Sequence, residues 1–185
     1  MNRFAQLPYL LVAAAAAPLL LAPLAYAGPD GPDVPEAIAV EEGHKVFLVG
    51  HAVGVQIYAC NPTSTGGFAW APVAPRADLF DAKGKLVATH FGGPTWQALD
   101  GSSVVGQRVD GVNVDPTAID WLLLAARSTA SGADGDRFTA TTFIQRTATT
   151  GGRAPAASTC TSATVGTTAE IPYTADYHFW KATGR

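Results

Sequence analysis

Between residues 45 and 181 the sequence breaks into short β-forming runs separated by turn-forming clusters. A chain punctuated this often folds by pairing neighbouring strands antiparallel, as a sandwich or a barrel. Runs at 45–49 and 54–60 come first. In the second, Val55, Ile57 and Ala59 alternate with Gln56, Tyr58 and Cys60, so the two sets lie on opposite faces. Turn residues follow at 61–67. Strand-like stretches at 68–73 and 76–80 flank Pro72 and Pro75, and a turn at 81–84 leads to a strand at 86–91. Gly92-Gly93-Pro94 breaks the pattern before 95–99, and Asp100-Gly101-Ser102 before 103–109. Residues 137–147 form the cleanest long run, 149–159 a loop, and 171–181 a final aromatic strand.

Residues 115–127 leave two readings open. Asp115 and Pro116 are suited to the start of a helix. The apolar segment 119–126 suits a buried strand equally well, and its β neighbours tilt the expectation that way. The expected class is therefore all-β, mainly antiparallel, with at most one short helix near 116–126.

The first 27 residues differ from the rest. A basic start at Arg3, an apolar run from Tyr9 to Leu24, and Ala25-Tyr26-Ala27 together have the form of a secretory signal, with cleavage expected before Gly28. The run is shorter than a bilayer-spanning helix requires, and prolines interrupt it. No cysteine stands at the new N-terminus, which argues against a lipid anchor. Export to a periplasm or the exterior, without membrane insertion after cleavage, is the expectation. Residues 28–35 read as a flexible leader and 36–185 as one domain.

The full chain carries 12 basic and 15 acidic residues, a formal charge of −3. Without Arg3 the mature charge is −4. No cluster of Lys or Arg appears, so nucleic acid is not an expected partner. Cys60 and Cys160 are the two cysteines. In an exported protein such a pair is most simply a disulfide. Neither lies in a C-x-x-C or beside a histidine, as a reactive or metal-bound thiol would suggest.

Several segments together resemble the DUF3455 family of exported proteins of unknown function. They are Gly54-Val55-Gln56-Ile57-Tyr58-Ala59-Cys60, Leu79-Phe80-Asp81 with Gly84, His90-Phe91-Gly92-Gly93-Pro94-Thr95-Trp96, and Asp100-Gly101-Ser102-Ser103-Val104-Val105-Gly106. Trp121-Leu122-Leu123-Leu124, Ile144-Gln145-Arg146, Thr150-Gly151-Gly152, Ala154-Pro155, Cys160 and Pro172-Tyr173-Thr174-Ala175-Asp176-Tyr177 continue the match. The resemblance spans roughly 36–180. It implies an exported, disulfide-linked, mainly β protein and brings no reaction with it. Asp120 departs from the proline usual before the Trp-Leu-Leu run, which keeps a helical turn open there.

The most suggestive chemistry lies between His90 and Asp100. On an extended chain His90, Trp96 and Asp100 share a face, and the Gly-Gly-Pro break lets backbone form a pocket wall. A histidine with a carboxylate suits a base and its orienter, with Trp96 as a binding platform. The plainer reading makes His90 a satisfied sheet residue, Trp96 a core residue and Asp100 a turn former. Gln56, Tyr58, Gln145 and Arg146 could line a polar pocket inside a barrel, or form a buried hydrogen-bond network. The aromatics Tyr173, Tyr177, Phe179 and Trp180 are core or a stacking surface.

His44, His51, His90 and His178 show no ligand spacing, so no metal site is expected; zinc or copper drawn from distant strands is the alternative. No G-x-S-x-G supports a serine nucleophile. Two function classes follow. The first is a non-catalytic exported β domain that binds a small molecule or an envelope or extracellular component. The second is an exported hydrolase or metal-dependent oxidoreductase centred on His90.

Overall fold

A computed structural model describes residues 25–26 and 31–184. The expected signal segment 1–27 lies almost wholly outside the described residues, which retain from it only the backbone pairing of Ala25–Tyr26 with Val34–Pro35. Eight antiparallel strands follow: β1 His44–Pro62, β2 Phe68–Phe80, β3 Leu86–Phe91, β4 Thr95–Ala98, β5 Ser103–Val112, β6 Trp121–Ala130, β7 Phe143–Gly151 and β8 Thr168–Ala182. Each pairs with the next in sequence, and β8 returns to β1, so the sheet closes into an up-and-down barrel. Closure distinguishes the barrel from the sandwich. The β8–β1 ladder runs from Thr168 opposite Ala59 to Ala182 opposite His44, leaving neither strand as a bare edge.

Some runs that look separate in sequence are one strand. The segments 45–49 and 54–60 merge into β1, and 68–73 and 76–80 into β2. Pro72 and Pro75 are tolerated because β3 pairs only with Ala77 to Phe80. The first half of β2 has a neighbour on one side alone, where a missing N–H costs little.

No helix forms near 116–126. The Asp115 carboxylate accepts hydrogen bonds from the Thr117 N–H and hydroxyl, both 2.7 Å, and holds one turn before β6 begins at Trp121. The run expected at 137–147 is displaced: β7 spans Phe143–Gly151, and residues 131–142 fold across the barrel end. Phe138 explains the displacement. It is fully buried, its ring tilted 31° against Phe179 at 4.5 Å inside the barrel, and this placement takes its backbone out of the sheet. Asp100 and Ser102 lock the segment. Asp100 Oδ2 accepts the Arg137 N–H at 3.0 Å, and Ser102 Oγ accepts the Phe138 N–H at 3.1 Å.

The interior is filled by large rings set against small residues. Ala52, Ala77, Ala88, Ala98 and Ala175 leave room for Trp96, Tyr177, Phe138 and Phe179. Gly54 is required by closeness: a Cβ there would lie 2.2 Å from the Arg76 carbonyl oxygen. Outside the barrel, Val34, Ile38 and Val40 pack on Leu123 and Trp180 as a strap. Residues 28–30 of the leader expected to be flexible lie outside the described residues; within its described part, Val34 is buried in this strap.

Cys60, near the end of β1, is bonded to Cys160 in the β7–β8 connection, with Cα atoms 5.4 Å apart. The bond encloses a sequence separation of 100 residues. It sits beside the seam, where Cys60 N–H and C=O pair with Thr167 and Gly166. Replacing either cysteine with serine should lower unfolding free energy by about 2–5 kcal/mol. Denaturant melts of oxidised wild type and variant measure this, and the native wild type should titrate with no free thiol.

Candidate functional site

An up-and-down barrel sends its connections alternately to two ends. The β2–β3, β4–β5 and β6–β7 connections lie at the end plugged by Phe138. The β1–β2, β3–β4, β5–β6 and β7–β8 connections lie at the other, where two adjoining cavities open; a separate cleft of about 440 Å³, lined by Lys85, Asp100, Asp134 and Arg137 among others, lies at the plugged end. An outer chamber of about 380 Å³ is lined by Tyr58, Arg108, Ile119, Asp120 and Arg153 among others. An inner chamber of about 180 Å³ is lined by His90, Trp96, Tyr177, Leu122, Leu124, Pro75 and Pro94. Gln56 and Arg146 line both, so they form the throat between them.

Strand register brings these residues inside. His90 on β3 is directly opposite Trp96 on β4, and Arg146 on β7 lies between Leu122 on β6 and Tyr177 on β8. Facing positions of paired strands share a side of the sheet, so each set is carried inward together. The His90 and Trp96 rings stack at 4.1 Å and 5°. Tyr177 meets both edge-on, at 5.1 and 5.3 Å.

The tautomer of His90 is fixed by its partner. The Thr95 carbonyl lies 2.8 Å from Nδ1 and can only accept, so Nδ1 carries the hydrogen and Nε2 keeps its lone pair. Burial pushes the imidazole pKa down to about 3, and the charge of Arg146 adds to the effect. His90 is therefore neutral at any physiological pH. The indole N–H of Trp96 is buried and has no hydrogen-bond partner among the described residues. Such a donor costs roughly 1–3 kcal/mol when left unmade.

The outer chamber is more polar. Arg146 donates from Nε at 3.0 Å and Nη2 at 2.8 Å to the Asp120 carbonyl. The Asp120 carboxylate lies 3.7 Å from Arg108 Nη2. Tyr58 donates its hydroxyl to the Gly152 carbonyl at 2.7 Å, and burial raises its pKa against the opposing charges of Arg146 and Arg153.

Of the candidates read from sequence, His90, Trp96, Gln56 and Tyr58 lie along this path. Asp100 and Gln145 do not. Asp100 is at the plugged end, where hydrogen bonds from Ser102 and the Arg137 N–H hold its carboxyl below the usual range. Gln145 points outward beneath the strap. Its amide donates to the Ile38 carbonyl at 2.6 Å and accepts from Trp180 Nε1 at 2.8 Å, a bridge between strap and barrel.

Arg108, Arg153 and Asp120 were not singled out as site residues by sequence. They come from three connections or strand ends that only closure brings together. The remaining histidines stay apart from the cavity. His51 pairs with Asp176 at 2.6 Å, His178 with Thr147 at 3.1 Å, and His44 lies against Phe143. Among the described residues, no group of three or more His, Cys, Asp or Glu is placed to hold a metal ion.

The family described as "Protein of unknown function (DUF3455)" matches residues 41–181. No curated protein and no solved structure matches the chain.

A neutral buried histidine makes stability depend on pH. The unfolded imidazole takes up a proton below about 6.5, whereas the folded one resists until about 3. The His90 contribution is whole above pH 6.5 and falls by about 1.4 kcal/mol per pH unit between these limits. His178 is also lowered by burial and acts in the same direction. Urea melts from pH 7 to 4 should show this loss, and His90→Gln should flatten much of the slope.

Proposed function

We propose that this chain, which belongs to the DUF3455 family, is an exported, non-catalytic β-barrel that binds a small molecule through the open end. The carrying observation is the inner chamber. It joins apolar walls from Leu122, Leu124, Pro75 and Pro94 to a Trp96 donor with no partner among the described residues and a His90 Nε2 lone pair. Ligand sites are commonly concave and apolar with a few placed polar groups, and the outer chamber falls in the usual size range. The stacked His90 and Trp96 faces favour a flat, unsaturated body.

A binding role also accounts for His90 better than catalysis does. A base whose conjugate acid titrates near 3 accepts a proton poorly at neutral pH, and no carboxylate among the described residues orients it. Its Nδ1 is spent on a backbone carbonyl. Export is supported by the signal-like residues 1–27 and is consistent with the disulfide, a bond that persists in oxidising compartments. Intact mass of the exported protein should give an N-terminus at Gly28; recovery of the full chain from the membrane fraction would count against export.

The binding reading predicts a saturable shift of the Trp96 indole ¹⁵N–¹H resonance when trans-cinnamate or trans-cinnamamide is titrated in. Leu122→Trp, which fills the inner chamber, should abolish the shift while retaining a cooperative melt. No saturable shift with either compound would reject the reading.

A further inference from the structure

Resting on that ligand-binding reading, we propose that the ligand is an organic oxyanion, with its charged head at Arg146 in the throat and its flat apolar body in the inner chamber. The charge distribution carries this. The chain is acidic overall, with 12 basic residues against 15 acidic, yet Arg108, Arg146 and Arg153 line one chamber. The lining holds a single carboxylate, Asp120. Within the lining that carboxylate is paired with Arg108, at 3.7 Å, and lies 3.1 Å from Asn113 Nδ2, so it does not offset Arg146 or Arg153.

Arg146 is the exceptional member. It is half-buried, faces inward from the middle of β7, and has no carboxylate within salt-bridge distance among the described residues. Two of its N–H donors, on Nε and Nη2, are held by one neutral carbonyl, which fixes the guanidinium plane without neutralising it. The other three of the five N–H donors a guanidinium carries have no protein partner among the described residues. A cation withdrawn from water without a counter-charge is costly, and a fork held in one plane is suited to a carboxylate or phosphate.

Position supplies the second part. Arg146 lines both chambers, so an anion bound to it projects its remainder either outward to solvent or inward against Trp96 and Tyr177. The inner walls are apolar and His90 is neutral, so this chamber suits the uncharged body and not a second charge. Beyond the throat, Arg108 and Arg153 are exposed, which suits drawing an anion towards the mouth more than holding it.

The head group can be a carboxylate or a phosphate monoester, and the test separates them. Isothermal titration of the wild type uses trans-cinnamate, trans-cinnamamide, phenyl phosphate and inorganic phosphate. At least one of the two aromatic anions should bind tenfold or more tighter than the neutral amide, with inorganic phosphate weaker than either; the tighter aromatic anion identifies the head. Arg146→Gln should lose at least tenfold more affinity for that anion than for cinnamamide. Should this variant fail to fold, the exposed pair Arg108→Gln/Arg153→Gln serves in its place, and should reduce the advantage severalfold. An amide that binds as well as both anions overturns the proposal and leaves the ligand-binding barrel standing. So does an anion advantage that is undiminished in the folded arginine variants. Inorganic phosphate as tight as phenyl phosphate overturns the role given to the apolar body. Failure of every aromatic probe removes this proposal together with the reading it rests on.

Discussion

The fold depends on the seam between its first and last strands. An eight-stranded meander left open would expose β1 and β8 as long hydrogen-bonding edges. Here the two are paired from His44 to Ala59 and from Thr168 to Ala182, and the ladder continues through Cys60, Gly166 and Thr167 next to the disulfide. The residues that meet across the seam are at the extremes of the chain, so closure carries a large entropy cost in folding. The disulfide removes part of that cost by restricting the unfolded chain, on the chain-entropy account. The sheet has an inside and an outside because of this closure.

Closure produces two unlike halves. At the plugged end, Phe138 sits against Phe179 while Asp100 and Ser102 satisfy the backbone N–H groups of the segment that carries it. The backbone N–H groups of Arg137 and Phe138 have partners there, although the buried Thr141 hydroxyl has none among the described residues. Towards the open end, among the described residues, the Trp96 donor is also without a partner and Arg146 without a counter-charge. A fold can carry such local losses where the remainder of the structure over-determines the geometry. The strap supports this on the outer surface, with Gln145 joining Ile38 and Trp180.

Much of the architecture was legible in the sequence, because period-two alternation and turn residues act locally. The face shared by Gln56, Tyr58 and Cys60, the strand Leu86–Phe91 and the Cys60–Cys160 pair are all as the sequence suggests. The site was legible only in part. Alternation shows that Gln145 and Arg146 lie on opposite faces, so the two cannot both line one cavity. Which of them faces inward depends on register with Leu122 and Tyr177, a non-local fact. The strap hides a polar residue on the outside, so burial of Gln145 does not mean it lines the interior. Asp100 shares sequence parity with Trp96, but the turn that follows β4 takes its carboxylate to Arg137. Arg108 and Arg153 carry no local signal, since their meaning arises when the ends of β5 and β7 reach the same mouth.

The disulfide also organises the open end. Cys160 anchors the β7–β8 connection, and that same connection carries Arg153 to the mouth and presents the Gly152 carbonyl to Tyr58. A connection of this length, free of regular sheet pairing, would otherwise sample many conformations at the open end. Tyr58 and Cys60 lie on the same face of β1, two residues apart, so one stretch of strand holds the connection both covalently and by a hydrogen bond. Opposite them the Ile119 carbonyl accepts from Thr149, and the Ile119 N–H reaches the Gly151 carbonyl. The rim of the outer chamber is thereby tied on both sides, and Arg146, held in plane by the neighbouring Asp120 carbonyl, is positioned by the same backbone. Rigidity at the mouth reduces the ordering cost of binding, which lets a small cavity with few polar groups discriminate between ligands.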